Sequence, residues 1–166
     1  MFKKSESYVP HTNWVEGEEI TVEQAVLTGT QRDDATVEAL AAANKALIRP
    51  GSGTVALELR FRSDGTFEAN DDSVLQLYAA AGKDHYTRIA TLTIIQGEQL
   101  HSTGIYFCDS IVATLENWIS ATEVVQPETL DNHIARYVLN THGYNRFLLI
   151  ASDLDTTTIY VDWRPL

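Results

Sequence analysis

From residue 54 onwards, apolar and polar side chains alternate with a period of two. Val55, Leu57, Leu59 and Phe61 point one way, while Glu58, Arg60 and Arg62 point the other, the pattern of a half-buried strand. Ser63-Asp64-Gly65-Thr66 follows with turn chemistry. Further strands are predicted at Val74–Ala79, Tyr86–Gln96, Gly104–Thr114, His133–Leu139, Arg146–Ser152 and Thr157–Trp163. They are rich in Ile, Val, Thr, Tyr and Phe and are separated by loops with Gly, Asn, Asp or Pro. So many strands without long helices between them argue against alternating βα units. The expectation is an all-β fold, an antiparallel β-sandwich of jelly-roll type, with Leu57, Leu59, Ile94, Leu149 and Val161 inside.

The first third of the chain has another texture. Asp33-Asp34 is placed to cap one short helix through Ala35–Ala46, with Val37, Leu40, Ala41 and Asn44 at i, i+3, i+4 and i+7. Arg49-Pro50-Gly51-Ser52-Gly53 stops it, and Ala46–Arg49 can alternatively form a strand of its own before that turn. In residues 1–30 the apolar side chains lack a sustained period, apart from a short strand at Glu19–Leu27. This divides the chain into an extended N-terminal arm, 1–30, and a single domain, 31–166. Phe2, Tyr8, Trp14, Val15 and Ile20 need burial without fitting a clear helix or strand, and they are the candidate partner-binding residues. A first strand folded onto its own sheet is the alternative for the same segment.

Charge narrows the partners. Lys and Arg number 12 against 23 Asp and Glu, a formal charge of −11 that repels phosphate backbones and argues against nucleic-acid or anionic-membrane binding. The charge is spread evenly, −5 over residues 1–83 and −6 over 84–166, so neither half is a basic arm or an acidic tail. No apolar run approaches the roughly 18 residues of a spanning helix. Met1-Phe-Lys-Lys-Ser-Glu-Ser lacks the apolar stretch of a secretory signal, and a lone cysteine calls for no oxidising compartment.

Candidate chemistry is sparse. Leu148–Thr157, a hydrophobic strand followed by Asp153-Leu-Asp155-Thr-Thr, is similar to the first motif of haloacid dehalogenase-type phosphatases. The lysine and carboxylates that family supplies downstream have no room in the eleven residues after Asp155, so the segment is expected to be a hairpin turn. His11, His85, His101, His133 and His142 have no metal-ligand spacing. Cys108 sits mid-strand and is expected as a buried thiol. Asp33-Asp34 and Asp71-Asp72 could offer oxygens to calcium but lack EF-hand spacing. Tyr78, Tyr86, Tyr106, Trp118, Tyr137, Tyr144 and Trp163 could stack on sugars, although aromatics on strands more often build a core. No catalytic, cofactor-binding or metal-binding residue is therefore assigned.

Three blocks carry a resemblance: LQLYAAAGKDHYTRIATLTIIQG at Leu75–Gly97, GIYFCDSI at Gly104–Ile111 and NHIARYVLNTHGYNRFLLIAS at Asn132–Ser152. With ALIRPGSGTVALELRF upstream at Ala46–Phe61, their succession resembles small β-sandwich virion accessory proteins of tailed bacteriophages, which decorate or cement the capsid. The resemblance implies a non-enzymatic structural protein of the virion, assembled in the host cytoplasm. It implies a homo-oligomer, a trimer among the candidates, and a major capsid protein as partner. It transfers no site residues. A carbohydrate-binding or adhesion module on the same fold is the alternative expectation.

Overall fold

A computed structural model describes residues 14–64, 72–117, 121–125, 134–155 and 158–166, with the backbone alone for 96–99 and 121–125. Ten strands and one α-helix follow in chain order. They are β1 Val15–Ile20, α1 Asp34–Ala39, β2 Ala46–Ile48, β3 Ala56–Ser63, β4 Ser73–Ala80, β5 Thr87–Leu100, β6 Tyr106–Leu115, β7 Ala121–Val125, β8 Ala135–Asn140, β9 Arg146–Asp153 and β10 Ile159–Pro165.

Every strand pairing is antiparallel. The strands form one hydrogen-bonded sheet in the order β1-β10-β3-β6-β5-β4-β9-β2, with β8 and then β7 branching from β3. The branch arises because β3 faces two partners along one edge, β8 at Ala56–Arg60 and β6 at Arg62–Ser63. The sheet is curled into a half-barrel. Register shifts at Leu77/Tyr78 in the β4–β5 pair and at Val74/Leu75 in the β4–β9 pair add residues on one side, and such bulges bend and twist a sheet. Its end strands β1 and β2 approach each other: the amides of Thr21 and Val22 donate to the Ala43 carbonyl at 2.8 and 3.1 Å.

The concave face holds the main core. Every strand with described side chains contributes to it, from Ile20 on β1 through Leu57, Leu59 and Phe61 on β3 to Ile159 and Val161 on β10. The five residues expected inside, Leu57, Leu59, Ile94, Leu149 and Val161, are all buried there. The bulge places the extra residue Ile89 on β5, so that both Ile89 and Ala90 enter this core, while the regular alternation of β4 sends Leu77 and Ala79 inward and Tyr78 to the other side.

On that other side lies a second apolar layer. Tyr78 and Ala80 of β4 and Leu148 and Ile150 of β9 pack against Leu27, Val37 and Tyr86, with Leu40 and Leu47 at the margin. Residues 21–45 thus lie as a cover over the outside of β4, β9 and β2. The unbroken apolar runs Leu77-Tyr-Ala-Ala80 and Phe147-Leu-Leu-Ile-Ala151 have this cause, since a strand buried on both faces loses its alternation.

The helix is shorter than its periodicity predicts. Asp33 caps it as expected, accepting from the Thr36 amide at 2.9 Å and the Thr36 hydroxyl at 2.6 Å. The chain leaves helical geometry at Leu40, and the Lys45 ammonium donates to the carbonyls of Val37 and Glu38 at 2.9 and 2.7 Å. Tertiary pairing decides the end: Ala46–Ile48 pair with Phe147–Leu149 and bury Ala46 and Ile48 in the main core. The strand alternative for Ala46–Arg49 is the one the fold uses. The turn that follows needs positive φ at Gly51 and Gly53, +88° and +83°, which glycine supplies without a Cβ penalty.

Candidate functional site

The convex face of β1, β10, β3 and β8 carries a lattice of charges, built by the alternation that puts Leu57, Leu59 and Phe61 in the core. Its centre is Asp162 on β10, fully shielded from solvent. Arg62 grips it with two bonds, Nε at 2.6 Å and Nη2 at 2.8 Å, and Arg60 Nε adds a third at 2.9 Å. Arg60 and Asp162 are directly opposed in register, as are Glu58 and Arg164. Burial works against the Arg62 charge, but the bonds and charge of Asp162, helped by Glu16, outweigh it and hold the guanidinium more firmly protonated than usual.

The lattice continues on both sides. Glu58, itself buried, takes Arg164 and Arg136. Glu16 on β1 accepts from Arg60 at 2.5 Å, lies 3.8 Å from Arg62 and receives His101 Nε2 at 3.3 Å. The Thr103 amide donates to His101 Nδ1 at 3.2 Å, which leaves the ring proton on Nε2, facing the Glu16 carboxylate. Aromatic rings cover the arginines. The Trp14 ring stacks against Arg60 and Arg164, 4.3 and 4.5 Å from ring centre to guanidinium carbon, Phe107 lies against Arg60 and Tyr160 against Arg62.

Beside the lattice opens a shallow pocket of about 310 Å³ lined by Glu16, Glu19, Arg62, Thr103, Ile105 and Tyr160. Burial, then the charges of Asp64 and Glu19, raise the Tyr160 phenol above its ordinary value. Two further depressions, which share His142, Gly143 and Tyr144, lie among the turns. One of about 400 Å³ holds Asp84, His85, His142 and Tyr144; the other, about 390 Å³, runs from Gly51–Val55 to Asn140–Asn145.

Of the candidate partner-binding residues, Phe2 and Tyr8 lie outside the described residues. Trp14 is clamped in the lattice, Val15 is exposed on β1, and Ile20 is buried in the core of its own chain. The strand in this segment runs Val15–Ile20, ahead of the predicted Glu19–Leu27, and pairs with β10 of the same sheet. Segment 15–30 is therefore laid on its own domain as far as the structure describes it, whereas 1–13 lies beyond that description.

The other candidates are dispersed. Asp33 caps α1, and Asp34 pairs with Arg146. Cys108 is buried, its Sγ 3.8 Å from the Ala135 carbonyl. Asp153 ends β9, and the Asp155 amide donates to Ser73 Oγ at 3.1 Å in the turn that follows. Tyr78, Tyr86 and Tyr137 are fully buried, so they offer no stacking platform, and Trp118 lies outside the described residues. Among the described residues no three His, Cys, Asp or Glu side chains gather as metal ligands.

Sequence reasoning placed Glu58, Arg60 and Arg62 on the outward face but missed that they are covered. The available signal was the pair of strands Glu58-Leu-Arg-Phe-Arg62 and Tyr160-Val-Asp-Trp-Arg164, whose outward charges are opposite in sign.

No known protein family, curated protein or solved structure matches this chain.

Proposed function

We propose that this is a non-enzymatic structural protein that assembles with copies of itself and docks on a larger particle. A phage capsid, with its major capsid protein as partner, is the concrete case, and the virion the place of action. The jelly-roll-like sandwich of such accessory proteins is the finer fold this reading carries. The observation in its support is the anchorage of β1. Trp14 and Glu16 are fastened to Arg60, Arg62 and Arg164, so the segment before them, with Phe2, Tyr8 and Val9, departs from a fixed point on the surface. A rigid exit point lowers the entropy an arm loses on docking, and Tyr is a favoured interface anchor.

Removal of residues 1–13, which spares the lattice, tests the reading. The truncated chain is expected to keep its thermal midpoint and to lose self-assembly in sedimentation velocity, together with co-sedimentation on capsids. A truncated chain that assembles and binds particles normally sinks the proposal.

The turn-end depressions favour one other reading. Tyr144, His142, Asn140 and Asn145 line the opening of about 390 Å³, and an aromatic ring among amide and imidazole groups suits a saccharide. Binding on a glycan array, lost in Tyr144→Ala, would favour a carbohydrate-binding module over the assembly protein.

A further inference from the structure

Three turns meet at one end of the sheet. Register brings them together: Ile48 at the end of β2 pairs with Phe147, Ala80 at the end of β4 pairs with Arg146, and Ala56 at the start of β3 pairs with Asn140. The turn from β8 to β9 lies in the middle and is pinned on both sides. On one flank the Asn145 amide donates to the Ala80 carbonyl at 3.1 Å, and the Gly82 amide donates to Asn145 Oδ1 at 2.9 Å. On the other, the Thr141 amide and hydroxyl donate to the carbonyls of Val55 and Thr54 at 2.9 and 2.7 Å. The depressions of about 400 and 390 Å³ open on the two flanks of this turn, with His142, Gly143 and Tyr144 as their common wall. A wall held in place before a ligand arrives lowers the entropy that binding costs.

The side chains on this wall are not the ones the turn itself asks for. The Tyr144 amide donates to the Thr141 carbonyl at 2.8 Å, and the two residues between them, His142 and Gly143, have φ of +46° and +82°. Asn before Gly is the favoured pair in a turn with both central φ positive. His142 stands in the Asn position, exposed, and its imidazole has no hydrogen-bond partner among the described residues. Two amides beside it are held in one orientation. Asn140 Oδ1 accepts from the His142 amide at 3.0 Å, as Asn145 Oδ1 does from Gly82. Each Nδ2 is left as a donor without a partner among the described residues.

Charge narrows what this lining accepts. No Lys or Arg lines either depression, and the one carboxylate is Asp84. On a chain of formal charge −11, such a lining offers no counter-charge to a phosphate, sulfate or carboxylate. Thr87 on one flank and Ser52 and Thr54 on the other add hydroxyls, and the Tyr144 ring serves both. Uncharged donors and acceptors around an aromatic ring match a ligand with many hydroxyls and apolar C–H faces, which is a neutral sugar. Because the two depressions share a wall, joined sugar rings reach both where a single ring reaches one.

We propose that the two depressions are halves of one site, which binds a neutral oligosaccharide laid across the His142–Tyr144 wall. This rests on the saccharide reading of the opening beside Tyr144 and adds the ligand's charge class, its length and the second half of the site.

The full-length chain on an array of neutral, sialylated and sulfated glycans tests it. Titration calorimetry follows with the best-bound neutral oligosaccharide and its component monosaccharides, and thermal midpoints check folding. The oligosaccharide is expected to bind about tenfold more tightly than any of its monosaccharides. His142→Asn keeps the turn, and Asn145→Asp keeps the acceptor for the Gly82 amide, so both are expected to melt as the parent does. Each is expected to weaken oligosaccharide binding about tenfold. The double variant Asp84→Ala/Thr87→Val, which strips a carboxylate and a hydroxyl from the other depression, is expected to weaken it as well. Suppose the oligosaccharide binds no more tightly than a monosaccharide, or the double variant leaves it unchanged, while Tyr144→Ala abolishes binding. The site is then a single depression: this inference falls and the saccharide reading stands. Binding of sialylated or sulfated glycans alone, lost in Tyr144→Ala, has the same consequence. If no glycan binds, or Tyr144→Ala changes nothing, both fall.

Discussion

The curled sheet covers its convex side in two different ways. Over β4 and β9 the cover is apolar: Leu27, Val37 and Tyr86 from the chain crossing lie on Tyr78, Leu148 and Ile150. Over β3 and β10 the cover is ionic, Asp162 and Glu58 buried beneath arginines that are themselves lidded by Trp14. Apolar burial is non-directional and tolerates exchange of one shape for another. A buried charge lattice is directional; every member depends on the rest, because an orphaned charge in the interior costs more than the pair gains. The first cover holds a segment in place. The second fixes the register of β10 against β3 and holds Trp14 at the start of β1.

The sharpest way to break this contrast is Asp162→Ala, which strands Arg60 and Arg62. A loss of about 3–5 kcal/mol in urea unfolding is expected, as for removal of one partner of a buried pair. A loss near zero would show that the lattice is solvated in practice. On the apolar side, Leu148→Ala removes a fully buried side chain and is expected to cost about 3 kcal/mol by the same measurement. Unlike Asp162→Ala, its effect should not vary with salt.

Replacing the ionic cover by an apolar one separates the two principles. The triple variant Arg60→Leu, Arg62→Met, Asp162→Val is expected to fall within about 1 kcal/mol of the parent, recovering most of the loss seen for Asp162→Ala. The same variant should disturb the anchorage of Trp14, visible as a change in indole fluorescence. Failure to recover stability would mean that the charges, and not merely their burial, hold β10 in register.

Beneath the lattice, on the inner face, Tyr137 is fully buried and its hydroxyl has no partner among the described residues. Burial pushes its phenol well above the ordinary range. Tyr137→Phe removes a polar group that contributes nothing in return, and a gain of up to about 1 kcal/mol is expected. A loss would reveal a partner for the hydroxyl.

The smallest effect is expected at Glu18. Partial burial raises its pKa, with Arg49 and Lys45 acting in the opposite direction. The folded state therefore disfavours the carboxylate relative to the unfolded chain. That penalty is present above the raised folded value and disappears as pH falls through the unfolded value near 4.5. Glu18→Gln should raise the thermal midpoint at pH 7 and leave it unchanged near pH 3. A larger gain at pH 3 would reverse the assigned sign.

Much of this architecture is written locally. Alternation in Ala56–Ser63 places Leu57, Leu59 and Phe61 inside because successive strand side chains point to opposite faces. Asp33 caps its helix through a bond to Thr36, three residues on, and Gly51 and Gly53 permit their turn without reference to the rest of the chain. Other features depend on partners far along the sequence. Arg62 meets Asp162 across a separation of 100 residues, and Ala46–Ile48 leave the helical pattern because β9 receives them as a strand. The same alternation that names Glu58, Arg60 and Arg62 as outward cannot say whether outward means wet. That depends on β10, β8 and Trp14 arriving with opposite charges and an aromatic cover. The sequence determined which residues face away from the core, since that follows from backbone geometry alone. Only the tertiary structure decided which of those were then buried, because burial of a charge requires all its partners in place at once.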